Sequence, residues 1–301
     1  MVVFPNCKIN LGLNILRKRT DGYHDLETVF YPFQLRDALE VIRDHSTVIS
    51  KQLTVNSLPL TEMPEQSGDF GKRKTVNGIQ LTTSGLTIEG DPNNNLCIKA
   101  YHLLKKDFPD ISAIQMHLHK VIPMGAGLGG GSADGAFALK LLNDSFHLNL
   151  SKNQLIDYAL QLGSDCPFFI LNQPCVATGR GEVMEEIALD LSPYKFVIVN
   201  PKIHIGTGWA FSHIKPVLPA QSIKDIVQHP ITTWKDALIN DFELPAINHY
   251  PEIGAIKDAL YKQGAVYSSM TGSGSTVYGI FEKEKVLKWS FPEHYFVYSS
   301  Q

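Results

Sequence analysis

Six glycines fall within the eleven positions from Gly125 to Gly135, in the run PMGAGLGGGSADG that begins at Pro123. Glycine is the residue that lets a backbone turn sharply and come close to a ligand. Upstream, Ile114, Met116 and Leu118 alternate with Gln115, His117 and His119, the period of a half-buried strand. Downstream of Ser132 the sequence turns helical, and Ala133, Ala136, Phe137, Ala138, Leu139, Leu141 and Leu142 make that helix apolar almost all round. A strand, a glycine-rich turn and a helix start in that order make an anion site. The N–H groups of the first helical turn have no partner within the helix and point out of its end. The chemistry predicted for Pro123, Met124, Gly125, Ala126, Gly127, Leu128, Gly129, Gly130, Gly131 and Ser132 is therefore the cradling of phosphate.

Two familiar cradles fit less well. Gly125, Gly127 and Gly130 match G-x-G-x-x-G, but the dinucleotide fold needs a second strand ending in an acid about 20 residues on. Here SFHLNLSKNQ leads straight into another helix. The P-loop pattern needs a lysine where Gly131 stands, so nothing would reach the outer phosphates in the P-loop manner.

The elements that position these residues read as follows. KINLGLNI at 8–15 alternates, with Ile9, Leu11, Leu13 and Ile15 on one face and Lys8, Asn10 and Asn14 on the other. That face is either a solvated edge or part of a site. Strands are predicted again at LETVFYPF, LEVIRD and KQLTV, followed by a polar, turn-rich loop over 57–78. Asp91 caps a helix expected to run to about Phe108. His117 and His119 lack further ligands at metal spacing and read as surface histidines. Ser151 and Gln154 form a capping box, Gly163 ends that helix, and Ser164 is the expected cap of the next, with Asp165 in its first turn. KFVIVN is a strand, and Ile253, Ile256 and Leu260 mark a late helix stopped by Gly264.

The 301 residues suffice for two domains. A net charge of −3 gives no footprint for nucleic acid, and no apolar run is long enough to span a membrane. The first residues do not read as a signal peptide. Cys7, Cys97, Cys166 and Cys175 lack C-x-x-C spacing and are expected as reduced thiols of a cytoplasmic enzyme.

The run PMGAGLGGGSADGA resembles the phosphate-binding motif of the GHMP kinases, which include galactokinase, homoserine kinase and mevalonate kinase. Further segments are similar to that family in the same order. K-x-N-L at Lys8 resembles its first motif, D-P-N-N-N-L at 91–96 the segment flanking its adenine site, and L-G-S-D-C-P-F-F its L-G-A-D-x-P-F-F. Ala177–Glu182 is similar to its G-x-G-E turn, Asn240–Glu243 to an N-D-F-E helix, and Met270–Thr276 to its third glycine motif. R-x-D-G-Y-H-x-L at 19–26 resembles the cytidine-binding segment of the branch acting on a diphosphocytidyl alcohol, and I-x-T-x-x-x-F at 205–211 the segment supplying that branch's second aromatic ring. Ala133, Gly135 and Gly208 depart from the usual residues; a glycine inside a helix costs about 0.5–1 kcal/mol against alanine.

The resemblance implies an α+β, two-domain GHMP kinase fold with the active site in the cleft between the domains, expected as 1–160 and 161–301 with the changeover within 155–172. It implies phosphoryl transfer from ATP, carried with Mg²⁺, to a hydroxyl of a small cytidyl substrate. Lys8 and Asp165 would be catalytic, and the residues from Pro123 to Ser132 would bind ATP, with Ser132 a candidate contact for Mg²⁺. Asn10, Tyr23, His24, Thr207, Phe211, Gly272, Ser273 and Gly274 would bind the alcohol, with Tyr23 and Phe211 sandwiching a cytosine whose edge His24 bonds. The expected partners are small molecules, with no nucleic acid or membrane, and the chain a monomer or homodimer. Another GHMP kinase, or a silent nucleotide-binding relative, is the alternative.

Overall fold

The computed structural model describes residues 1–43, 74–76 and 78–300. The expected strand KQLTV and nearly all of the expected polar loop lie outside these residues. Thirteen strands are described: β1 (Val2–Val3), β2 (Asn6–Lys18), β3 (His24–Arg36), β4 (Ala38–Arg43), β5 (Lys74–Val76), β6 (Ile79–Gly85), β7 (Ile114–Lys120), β8 (Cys175–Thr178), β9 (Val183–Glu186), β10 (Tyr194–Asn200), β11 (Tyr267–Met270), β12 (Val277–Glu282) and β13 (Phe296–Ser299). They form three sheets, ordered β1-β4-β7-β6-β5, β2-β3-β8-β9 and β11-β12-β10-β13.

Helices fill the gaps between sheets: α1 (Leu96–Asp107), α2 (Gly130–Phe146), α3 (Lys152–Leu162), α4 (Cys166–Leu171), α5 (Thr207–Ser212), α6 (Ile223–Ile226), α7 (Trp234–Ala237), α8 (Glu243–His249) and α9 (Pro251–Lys262). The parallel pair β6–β7 is joined through α1, as a parallel connection requires. The apolar sides of α1 and α2 bury against Leu39, Val41, Met116 and Leu118 of that sheet. Ile253, Ile256 and Leu260 of α9 pack on Val197, Val199 and Phe281 of the third sheet. A shared core lies between the halves, where Ile9, Leu11 and Phe33 meet Ile198, Trp234 and Tyr278.

Local signals are largely met, with small differences. Asp91 caps a short 3₁₀ turn over Pro92–Asn94, and Asn95 caps α1 by accepting from the Cys97 N–H. The Ser151–Gln154 capping box is formed. Strand β6 ends at Gly85. Helix α2 starts at Gly130 rather than Ser132, its N-cap being the left-handed Gly129. Gly135, inside α2, has a packing reason, because a β-carbon there would lie 2.7 Å from the Leu96 Cβ. Residues 161–186, placed in the second half by the sequence division, contribute α4, β8 and β9 to the first half's core and sheet.

Strand β2 decides the architecture. It is the outer member of its sheet, yet Asn6 through Leu13 and on to Ile15 are all buried. Gly12, at a left-handed φ of 67°, sits at a register shift between Leu11 and Leu13. Such a bulge reverses which N–H groups face outward. Before it Lys8 and Asn10 point their N–H groups away from β3; after it Leu13 and Ile15 do. Pro32, opposite Lys8 and beyond the β8 pairing, therefore loses no ladder bond by lacking an N–H.

Candidate active site

The four outward N–H groups of β2 are met by three segments distant in sequence. The Lys8 N–H donates to the Leu128 carbonyl in the glycine loop at 3.0 Å, and the Asn10 N–H to Thr271 Oγ1 at 2.9 Å. The Leu13 N–H donates to the Ile239 carbonyl at 2.8 Å, and the Ile15 N–H to Asp241 Oδ2 at 2.7 Å. Loops distant in sequence are thus brought to one edge, and the face carrying Lys8 and Asn10 looks into the cleft they enclose. The solvated-edge alternative for that face is excluded by burial.

Lys8 Nζ donates to Asn10 Oδ1 at 2.5 Å and lies 3.6 Å from Asp165 Oδ2 and 4.7 Å from the Phe30 ring centre. Burial pulls the Lys8 ammonium below the ordinary lysine range, and the Asp165 carboxylate opposes that. Asp165 occupies the N-cap position of α4 in place of Ser164, but its side chain makes no capping bond and turns to Lys8 instead. Its side chain keeps 34% exposure, enough for an incoming group to reach it.

Gly125, Gly127 and Gly129 all take left-handed φ values, which fold the loop over the start of α2. The first helical bond runs from the Ala133 N–H to the Gly129 carbonyl, so the N–H groups of Gly130, Gly131 and Ser132 precede the ladder and present at the cleft. The cleft measures about 1170 Å³. Of the residues singled out in the sequence it is lined by Lys8, Asn10, Pro123 to Gly127, Gly129 to Ser132, Asp165, Thr207, Phe211, Gly272 and Ser273. Leu128 instead buries its side chain in the shared core, and Gly274 lies behind the third loop, donating its N–H to the Thr271 carbonyl.

That third loop is pinned by Asn240, whose Nδ2 donates to the Met270 and Gly272 carbonyls, and by Glu243, which accepts from the Met270 N–H. Gly127 and Thr271 touch so closely that a β-carbon on Gly127 would lie 2.1 Å from the Thr271 carbonyl oxygen. The two glycine loops are therefore one packed unit.

Tyr23 and His24 lie at the far rim. The His24 ring stacks on Phe211, centroids 4.8 Å apart and planes 19° apart, while Tyr23 is exposed and carries the Arg180 guanidinium 4.8 Å over its ring. An open slot between Tyr23 and Phe211 is not what the geometry presents. Two flat rings gain by stacking, and it is His24 that stacks on Phe211, while Phe242 meets that ring edge-on at 4.9 Å.

One cluster went unread in the sequence. Buried Lys120 pairs with Asp37 and, at 2.7 Å, with Asp134 Oδ2, while Asp37 Oδ1 accepts from the Val121 and Ile122 N–H groups. Burial disfavours the charge on Lys120, but the two carboxylates more than offset this and hold its pKa above the usual value. Burial also pushes the Asp134 carboxyl up, and its Oδ1 has no hydrogen-bond partner. The cluster clamps both ends of the glycine loop. Its signal was parity: Lys120 falls on the apolar side of β7, in step with Ile114, Met116 and Leu118.

His117 and His119 bond to Thr82 and Ser84 on the sheet surface. Among the described residues no group of three His, Cys, Asp or Glu side chains is arranged to hold a metal ion. The four cysteines are free and buried, and no described helix is long and apolar enough to cross a membrane.

Known proteins resemble the chain over most of its length. Residues 95–173 match the GHMP kinases N terminal domain and residues 222–288 the GHMP kinases C terminal region. A 4-diphosphocytidyl-2-C-methyl-D-erythritol kinase of Bacteroides thetaiotaomicron is 48% identical over 287 residues, covering 95% of this chain and 94% of that protein. One of Cytophaga hutchinsonii is 42% identical, covering 93% of this chain and 92% of that protein. A crystal structure of 4-(cytidine 5'-diphospho)-2C-methyl-D-erythritol kinase superposes with a TM-score of 0.71 at 28% identity, covering 93% of this chain and 90% of that one. The mevalonate kinase of Methanococcus jannaschii shares the fold, with a TM-score of 0.65 at 13% identity over 99% of this chain and 97% of that one.

Gly131 offers a clean test of the cradle, since no atom lies within 4 Å of where its β-carbon would go. The Gly131→Val variant should keep its melting temperature and lose ATP affinity by about tenfold or more, a change of at least 1.4 kcal/mol. Equilibrium nucleotide titration beside a thermal melt checks this; undiminished affinity would remove the loop from nucleotide binding.

Proposed function

The chain belongs to the 4-diphosphocytidyl-2-C-methyl-D-erythritol kinases of the GHMP kinase family, and we propose that it moves the terminal phosphoryl group of ATP onto the 2-hydroxyl of 4-diphosphocytidyl-2-C-methyl-D-erythritol. It is an ATP-dependent kinase of isoprenoid precursor biosynthesis. The observation that carries the residue roles is the Lys8–Asp165 pair, held 3.6 Å apart in the same cleft as the open N–H groups of α2. On sheet membership, the two halves of the fold are taken as residues 1–186 and 194–300.

Phosphoryl transfer asks a protein for positioning and charge neutralisation more than for covalent chemistry. The nucleotide phosphates lie along the N–H groups from Gly125 to Ser132, where the backbone and the positive end of α2 favour negative charge. Asp165 accepts the proton of the attacking hydroxyl. Lys8, oriented by Asn10, holds that hydroxyl and stabilises charge building on the transferred group. Dedicated all-protein cages are not what Mg²⁺ uses beside a nucleotide; it takes one or two oxygen ligands and keeps waters and phosphates for the rest. Ser132 supplies such an oxygen on the cleft wall and fits an ion arriving with ATP. Bound there, Mg²⁺ would neutralise the outer phosphates. A cytosine reaching Phe211 has to take the place of the His24 ring, after which His24 is free to bond the base edge.

The reading is checked by ADP release with a panel of alcohols. The diphosphocytidyl alcohol should be turned over at low concentration, and mevalonate and homoserine scarcely at all; equal turnover of all three would leave only the broader kinase assignment. For the chemistry, Asp165→Asn keeps size but cannot take a proton. Its kcat should fall by roughly 10²–10⁴-fold with ATP binding intact, and a rate near that of the wild type would return Asp165 to a structural role.

A further inference from the structure

We propose that Arg180 binds the diphosphate of the cytidyl substrate, and so helps to set substrate specificity. The inference rests on the substrate class just given. Arg180 stands at the tip of the β8–β9 hairpin between two left-handed glycines, Gly179 at φ 68° and Gly181 at φ 106°. Its backbone N–H donates to the Glu182 carboxylate, whose other oxygen lies 3.5 Å from the guanidinium Nε. The turn thus fixes where the side chain starts and Glu182 limits where it swings.

Two contacts place that side chain along the substrate. At one end its guanidinium covers the Tyr23 ring, beside the His24–Phe211 stack. At the other, a β-carbon on the adjoining Gly181 would lie 3.9 Å from Asp165 Oδ1, so the turn abuts the reacting centre. In a diphosphocytidyl alcohol the group between the base and the reacting hydroxyl is the diphosphate. A side chain spanning from the base end of the site to the Asp165 end therefore faces that diphosphate.

Charge points the same way. Among the described residues lining the cleft, Lys8 and Arg180 are the only lysine or arginine. Lys8 is buried and committed to Asn10 and Asp165. Glu89, Asp91 and Asp165 line the cleft too, so an anionic substrate entering it meets more carboxylates than cations. Arg180 is the partly exposed cation that can answer the diphosphate, and its planar fork suits paired phosphate oxygens in a way that an ammonium does not. The contact with Tyr23 holds the fork flat and ready.

The test is inhibition at saturating ATP by CDP and by cytidine, each measured as competition against the diphosphocytidyl alcohol, in the wild type, Arg180→Met and Arg180→Lys. Thermal melts establish that the variants fold. In Arg180→Met the inhibition constant of CDP should rise roughly 10- to 100-fold, the range for charge-assisted hydrogen bonds, while that of cytidine stays put. Arg180→Lys should recover part of the loss. An unchanged CDP constant, an equal loss for CDP and cytidine, or a loss confined to kcat would overturn the assignment; the second would make Arg180 a support for the Tyr23 ring, the third a group acting on the transferred phosphoryl. A wild-type enzyme that neither nucleotide inhibits would instead sink the cytidyl reading itself, and this proposal with it.

Discussion

Everything in the site hangs on the outer edge of β2. An unpaired strand edge carries a row of N–H and C=O groups that a protein has to cover or expose to water. Here the edge is covered by the loops around the cleft. Lys8 bonds the first glycine loop, Asn10 the third glycine motif through Thr271, and Leu13 and Ile15 the 239–241 segment. Carbonyls take part as well, with Asn10 accepting from the Tyr278 hydroxyl and Leu13 from the Asp241 N–H. The bulge at Gly12 makes this possible, since without a change of parity the second pair of groups would point back into β3. Alanine at Gly12 would have to adopt a left-handed φ with its β-carbon 2.6 Å from Leu238.

The same edge sets the electrostatics. By burying the strand that bears Lys8, the fold weakens the solvation of its ammonium, and the nearby Asp165 carboxylate is the group that keeps the charge tolerable. Lys120 follows the same logic one layer deeper, where Asp37 and Asp134 surround it and fix the backbone at both ends of the glycine loop. The cleft is thus built from a rigid floor with anion-seeking N–H groups at one end and aromatic rings at the other.

Much of this was legible in the sequence, because it is local. A strand followed by glycines and an apolar helix announces a cradle, and the Ser151–Gln154 box announces a helix start. The fold class and the kinase family followed from motifs in order along the chain. What escaped depends on contacts between distant segments. Alternation in KINLGLNI could not tell a solvated face from a cleft face, since loops more than a hundred residues away cover it. Ser164 looked like a better cap than Asp165, yet Asp165 takes that position and spends its carboxylate on Lys8 rather than on the helix. Gly135 looked like a loss of helix stability until Leu96 packed against it. The motifs put Tyr23, His24 and Phe211 in one subsite, but that His24 itself stacks on Phe211 and Arg180 on Tyr23 depends on side-chain contacts no periodicity encodes.

The central claim is that β2, though outermost in its sheet, is locked by the loops of the site. Residue-resolved amide hydrogen exchange measures this directly. The amides of Lys8, Asn10, Leu13 and Ile15 should exchange only with global unfolding, as slowly as those of the buried strand β10. If they exchange as fast as the amides of the exposed strand β9, the edge is open in solution and the loops are held in place by something else.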